Sequence, residues 1–94
     1  MAIQGFKNKD TETLFKGVVP RRFPSDLVRT AQRKLRMIHT AKTLADLKVP
    51  PANRLEALAG DRKGQHSIRI NDQFRICFKW TENGPDEVEI VDYH

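Results

Sequence analysis

The chain closes on Asp92-Tyr93-His94, a carboxyl, a phenol and an imidazole on consecutive residues. In an extended segment Asp92 and His94 take one face and Tyr93 the other. Arg75 joins them if its strand runs beside the last one. Such a set suits RNA cleavage without a metal. A base takes the proton of a ribose 2′-hydroxyl, the oxygen attacks the adjacent phosphorus, and an acid protonates the leaving 5′-oxygen. A cation stabilises the charge that gathers on the phosphoryl oxygens. Each positioned acid or base contributes typically ~10²–10⁴ in rate, and electrostatic stabilisation is often the largest single contribution. The plainer alternative is a solvated tail, with Arg75 paired to Glu89 or Asp92 across strands. His39, His66 and His94 show no metal-ligand spacing. Ser67 lacks the elbow motif of a serine hydrolase.

The elements that must position these groups are legible in the spacing. From Leu55 to Phe78 the chain reads strand, turn, strand, turn, strand. Gly60 and Gly64 bracket the charged turn Asp61-Arg62-Lys63. His66 to Ile70 alternates polar and apolar residues, as a half-buried strand does. Asn71-Asp72 supplies the next turn. Phe74, Ile76, Phe78 and Trp80 then fall on one face, with Arg75, Cys77 and Lys79 on the other, expected to be open. Thr81 to Asp86 reads as a connection with an Asn-Gly signal. Glu87 to Tyr93 is the last strand.

Before this meander the pattern is helical. Ile3–Phe6 is expected as an edge strand. A short helix follows with Asp10 as its N-cap, ended by Gly17. Pro24-Ser25-Asp26 opens the main helix, which runs to about His39 or Ala41. Leu27, Val28, Ala31, Leu35 and Ile38 form its apolar stripe. Arg29, Arg33 and Arg36 form a basic face that Lys34 and Arg22 extend. Thr43–Leu47 makes one more turn before Val49-Pro50-Pro51. Helices followed by consecutive strands predict an α+β fold. It is a small, antiparallel-dominated sheet of about four to five strands with two to three helices on one face, one domain spanning 1–94.

The 94 residues carry a formal net charge of +5. Residues 1–48 hold 11 Lys or Arg and 4 acids, and residues 49–94 hold 6 and 8. A basic half suggests a polyanionic partner, or only a solvated surface. No apolar run approaches the ~18–20 residues of a membrane span, and the N-terminus lacks the apolar core of a secretory signal. Cys77 is the only cysteine, so no intrachain disulfide forms, which suits a reducing cytoplasm. Its place beside aromatic neighbours suits a small packed residue better than a nucleophile.

The run RLEALAGDRKGQHSIRINDQFRICFKW, with the terminal EIVDYH, resembles the HigB branch of the RelE-type bacterial toxins. The likeness covers nearly the whole chain, including IQGFKNKDTETLF and PSDLVRTAQRKLRMI. It rests on a GDR-x-G-x-x-SIR pattern, on Phe74-Arg75, and on the final DYH. The resemblance implies a RelE-like sheet and an endoribonuclease that cuts mRNA in the ribosomal A site. It also implies a metal-free and cofactor-free transesterification that inhibits translation. The implied partners are the ribosome, its mRNA and a HigA-like antitoxin with a helix-turn-helix domain, through which the pair would reach operator DNA. No membrane is implied. Carried residue by residue, Arg75 stabilises the phosphate, and Asp92, Tyr93 and His94 transfer protons and orient the substrate. The chain departs from the pattern at Glu56 and Ala59, where some members carry histidine and lysine. Glu56 is then a candidate base or an exposed strand carboxylate. Arg62, Lys63, Arg69 and Lys79 are candidate RNA contacts, which position substrate without reading sequence. The alternative is a non-catalytic module that docks an antitoxin or ribosomal RNA.

Overall fold

A computed structural model describes residues 1–92. Tyr93 and His94 therefore lie outside the described residues. Two α-helices precede a four-stranded meander. They are α1 (Lys9–Phe15) and α2 (Val28–Thr40), followed by β1 (Glu56–Ala57), β2 (His66–Arg69), β3 (Phe74–Thr81) and β4 (Gly84–Asp92). The sheet order is β1-β2-β3-β4, every pairing antiparallel.

The helices begin where local chemistry satisfies their free N–H groups. Asn8 caps α1, its Oδ1 accepting from Thr11 N at 2.8 Å. The cap is thus two residues earlier than Asp10, which sits in the first turn and favours the helix dipole there. Pro24 leads into a 3₁₀ turn at Ser25–Leu27, and α2 follows directly. The expected extra turn is a 3₁₀ helix, Leu44–Lys48. Its capping box is closed by Asp46 Oδ2, which accepts from Lys42 N at 2.9 Å and Thr43 N at 3.1 Å. Those two backbone N–H groups hold the Asp46 carboxyl below its ordinary range.

One face of the sheet takes the helices. Leu14, Ala31, Leu35 and Ile38 pack on Ile68, Ile76, Phe78 and Val88, and all eight are completely buried. Each fully buried branched or aromatic side chain contributes about 1.5–3 kcal/mol. Lys34 does not extend the basic face of α2. It is 5 % exposed and points into the protein.

The expected N-terminal edge strand reduces to one parallel bridge, Phe6 with Val88. Lys7 N donates to Val88 O (2.9 Å), and Val88 N donates to Gly5 O (3.1 Å). The last strand begins at Gly84, three residues before the expected start, because Glu82-Asn83 alone turn the hairpin between Thr81 and Gly84. Gly84 has φ +129°, and a Cβ there would collide with the Ala2 carbonyl oxygen, so only glycine fits. Further along, Cys77 pairs with Glu89 but Lys79 pairs with Asp86, so Phe78 faces both Glu87 and Val88. Glu87 is the bulged residue, at φ +50°. The bulge resets which β4 residues face the helices.

A candidate anion-binding active site at the sheet margin

Register decides which side chains meet. Arg69 stands opposite Arg75, and Ser67 opposite Cys77. Arg75 also stands opposite Val91, and Cys77 opposite Glu89. These residues share the face away from the helices. Asp92 stands opposite Phe74, one pair further on, and so falls on the helix side. β4 does run beside β3, but the pairing sets Asp92 and Arg75 on opposite faces. The Asp92 carboxylate accepts from Gln73 Nε2 at 3.0 Å.

The face expected to be open is covered where Arg75 and Cys77 lie. Arg75 is 8 % exposed and Cys77 is completely buried. The turn after β1, Gly60–Arg62, explains the cover, since Arg62 NH1 reaches Glu89 Oε1 at 2.9 Å and Gln65 Oε1 at 3.0 Å. Arg62 is thus engaged with Glu89 on the strand opposite Cys77.

Arg75 itself is fixed from three directions. Its Nε donates to Ser67 Oγ at 2.7 Å. Its NH2 donates to Arg54 O at 2.7 Å and to Ser67 O at 3.4 Å. Glu56 Oε1 lies 4.0 Å from NH2. The NH1 amino group has no acceptor among the described residues. A guanidinium held at Nε and NH2 with NH1 free is pre-set to donate to an incoming oxygen.

The surrounding cleft is about 220 Å³ and is lined by Arg54, Glu56, Arg69, Asn71, Asp72 and Arg75. Three of those six carry guanidinium groups. Like charges directly opposite on neighbouring strands are destabilising, and here Arg69 faces Arg75. Asp72 forms an ion pair with Arg69 but is almost fully exposed. An exposed pair of this kind contributes little, typically ~0–1 kcal/mol. The cleft therefore keeps an excess of positive charge that a phosphate can neutralise.

The structure brings together Arg75, Arg69 and Glu56 among the residues that the sequence singles out. It adds Arg54, which follows the Pro50-Pro51 turn and shows no periodicity to mark it. Lys79 and Lys63 are exposed and make no ion pair among the described residues. Lys79 lies four residues along β3 from Arg75, roughly 13 Å away at strand spacing, so it lies beyond the cleft. Among the described residues no group of three or more His, Cys, Asp or Glu side chains converges as a metal site requires. No helix among them is long and apolar enough to cross a membrane.

Burial pushes the Cys77 thiol above its ordinary value of 9.0, outweighing the nearby Arg62 and Arg75 charges. A buried neutral thiol is not a nucleophile. The unfolded chain then ionises Cys77 first as pH rises, so the folded state binds more protons above pH 9.0. Cys77 should therefore lower stability progressively as pH climbs past that value. The expected result is a flatter alkaline limb for Cys77→Ala than for wild type in urea unfolding at successive pH. Parallel limbs would count against burial as the cause.

The structure superposes on the YoeB/ParE toxin from Agrobacterium tumefaciens with a TM-score of 0.55, covering 100% of this chain and 99% of that one. Sequence identity there is 20%, so the likeness speaks for the fold alone, helices packed on one antiparallel sheet. The sequence goes further. A family model described as the RelE-like toxin of type II toxin–antitoxin system HigB matches residues 4–94, and the chain belongs to that family. It is 39% identical over 83 residues to Toxin HigB-1 of Vibrio cholerae, covering 87% of this chain and 86% of that one. It is 30% identical over 92 residues to Endoribonuclease HigB of Proteus vulgaris, covering 98% and 99%.

Proposed function

We propose that this chain is an endoribonuclease that cleaves mRNA in the ribosomal A site, held in check by a HigA-like helix-turn-helix antitoxin. The observation that carries the reading is the anchored Arg75 guanidinium, with NH1 unengaged, in a cleft shared with Arg54 and Arg69. The endoribonuclease name of the Proteus vulgaris relative supports the same class of reaction.

The reaction needs no cofactor. Glu56, among the described residues the one carboxylate lining the cleft that is not already paired to Arg69, takes the proton of the ribose 2′-hydroxyl. The 2′-oxygen bonds to phosphorus as the bond from phosphorus to the 5′-oxygen breaks. Arg75 NH1 stabilises the charge on the phosphoryl oxygens. The leaving oxygen takes a proton from one of the groups of the terminal Asp92-Tyr93-His94 run, the role that the family resemblance implies for them. The products are a 2′,3′-cyclic phosphate and a 5′-hydroxyl, and water opens the cyclic ester to a 3′-phosphate. Tyr93 also orients the substrate by stacking. Arg69 and Arg54 hold flanking phosphates, while Lys63, Lys79 and Arg62 contribute longer-range attraction to ribosomal RNA. The ribosome supplies the fixed substrate geometry that a sparse acid–base set requires. The antitoxin carries the pair to operator DNA.

The test is induction in bacteria with mapping of 5′ ends on cellular mRNA, wild type against Arg75→Ala. In-frame cuts with 5′-hydroxyl ends are expected for wild type alone. Uncut mRNA from both, with intact binding to ribosomes, would instead favour a binding module.

A further inference from the structure

Lys34 is a buried cation with no carboxylate partner among the described residues. It is 5 % exposed, and its one acceptor is Asn53 Oδ1, at 2.7 Å. The charges around it are positive, Arg33, Arg69 and Arg75, and burial with these neighbours pushes its pKa down. Burying an uncompensated charge is unfavourable. An apolar side chain of the same length on this helix would avoid that cost, so packing gives no reason for lysine here.

The hydrogen bonds lead from Lys34 towards the cleft. Asn53 is completely buried. Its Nδ2 donates to Leu47 O (3.2 Å) and Val49 O (3.4 Å), which ties the 3₁₀ turn Pro51–Asn53 to the turn before it. The next residue, Arg54, has φ +45° and ψ +57°, a left-handed conformation that a non-glycine residue adopts only with strain. That conformation sets the direction of the Arg54 carbonyl, which accepts from Arg75 NH2 at 2.7 Å. A strained peptide persists only when its surroundings over-determine it. Asn53, gripped by Lys34 on one side and two carbonyls on the other, is the fixed point beside it.

We propose that Lys34 is a positioning residue: through Asn53 it fixes the Arg54 carbonyl that holds the Arg75 guanidinium in the cleft. As a role in catalysis this rests on the proposed cleavage reaction. The geometric claim, that Lys34 holds Arg75, stands apart from it. Lys34 touches no substrate. Its effect passes through Asn53, Arg54 and Arg75 in that order.

The experiment compares wild type with Lys34→Met and Lys34→Arg. Two quantities are measured: hydrogen exchange at Arg75 Nε–H by nitrogen-15 NMR, and single-turnover cleavage on ribosomes loaded with a defined mRNA. In folded Lys34→Met, exchange is expected about tenfold faster, because an opened Arg54 carbonyl loosens the guanidinium. Cleavage is expected ~10–100-fold slower at saturating ribosomes, since a displacement near 1 Å costs on that order. The ribosome concentration for half-saturation should not change. Lys34→Arg keeps charge and donor and should restore both readouts to within about threefold of wild type. Wild-type exchange and cleavage in folded Lys34→Met overturn the proposal. If that variant does not fold, Lys34→Gln replaces it; its head falls a bond short of Asn53, and wild-type values in the folded protein overturn the proposal equally. If wild type itself cuts nothing, the cleavage reading falls, and the exchange rate still decides whether Lys34 holds Arg75.

Discussion

Arg75→Lys should slow mRNA cleavage by about 10²–10³ while the protein remains folded, the size of effect seen when one transition-state donor is removed. The substitution keeps the charge, so what it removes is shape. Arg75 spends Nε on Ser67 Oγ and NH2 on the Arg54 and Ser67 carbonyls, and presents NH1 on a rigid plane. A lysine ammonium is a single point on a flexible stem. It can satisfy Ser67 or reach the substrate phosphate, but not both. Cleavage at saturating ribosomes is the measurement, with half-saturation as its control. A rate within about threefold of wild type would mean that charge alone suffices and that the fixed fork is incidental. Ser67→Ala offers a smaller version of the same test. It frees Nε but leaves the NH2 bonds, and about fivefold is expected from the loss of one net hydrogen bond of ~1 kcal/mol.

The sequence showed the alternation of β2 and β3, and with it the side of the sheet on which Arg75 lies. It also showed the turn at Gly60–Arg62 and the apolar stripe of α2. These features are local, set by periods of two and 3.6 residues. What remained hidden depends on contacts between distant segments. Arg75 was expected on an open face because alternation assigns a face without saying what covers it. The cover comes from the Arg62–Glu89 pair and the Arg54 backbone. Lys34 read as surface because a lysine next to Arg33 on a basic helix normally is. Its burial follows from Asn53, which lies beyond two prolines and carries no periodic signal. The side taken by Asp92 depends on the bulge at Glu87. Asp86, read in the sequence as part of the connection, accepts from Glu87 N at 2.8 Å, and the N-terminal segment bonds to Val88 next to it. The family resemblance pointed to Arg75 and to the final Asp-Tyr-His without showing how β4 aligns.

The second large effect concerns the core rather than the chemistry. Phe78→Ala is expected to cost about 3–5 kcal/mol, as removal of a fully buried phenylalanine usually does. Phe78 is completely buried and heads the fully buried side chains by volume. It lies on β3 opposite His66, the two rings stacked with centroids 6.4 Å apart. On the β4 side it stands at the register shift between Cys77 and Lys79. At about 0.05–0.15 kcal/mol per residue, a domain of this size has a total stability of roughly 5–14 kcal/mol. The loss is therefore a large share of the whole, and the melting temperature should fall by about 15–30 °C. Urea unfolding of wild type and Phe78→Ala measures it directly. A cost below ~1.5 kcal/mol would show that the site collapses, and that the helices rather than β3 carry the core. A cost in the expected range has a consequence for the cleft as well. Arg75 is on the same strand, so what keeps β3 in register against β2 also keeps Arg75 beside Ser67. In this fold the packing on the helix side and the placement of the guanidinium on the other side depend on one strand.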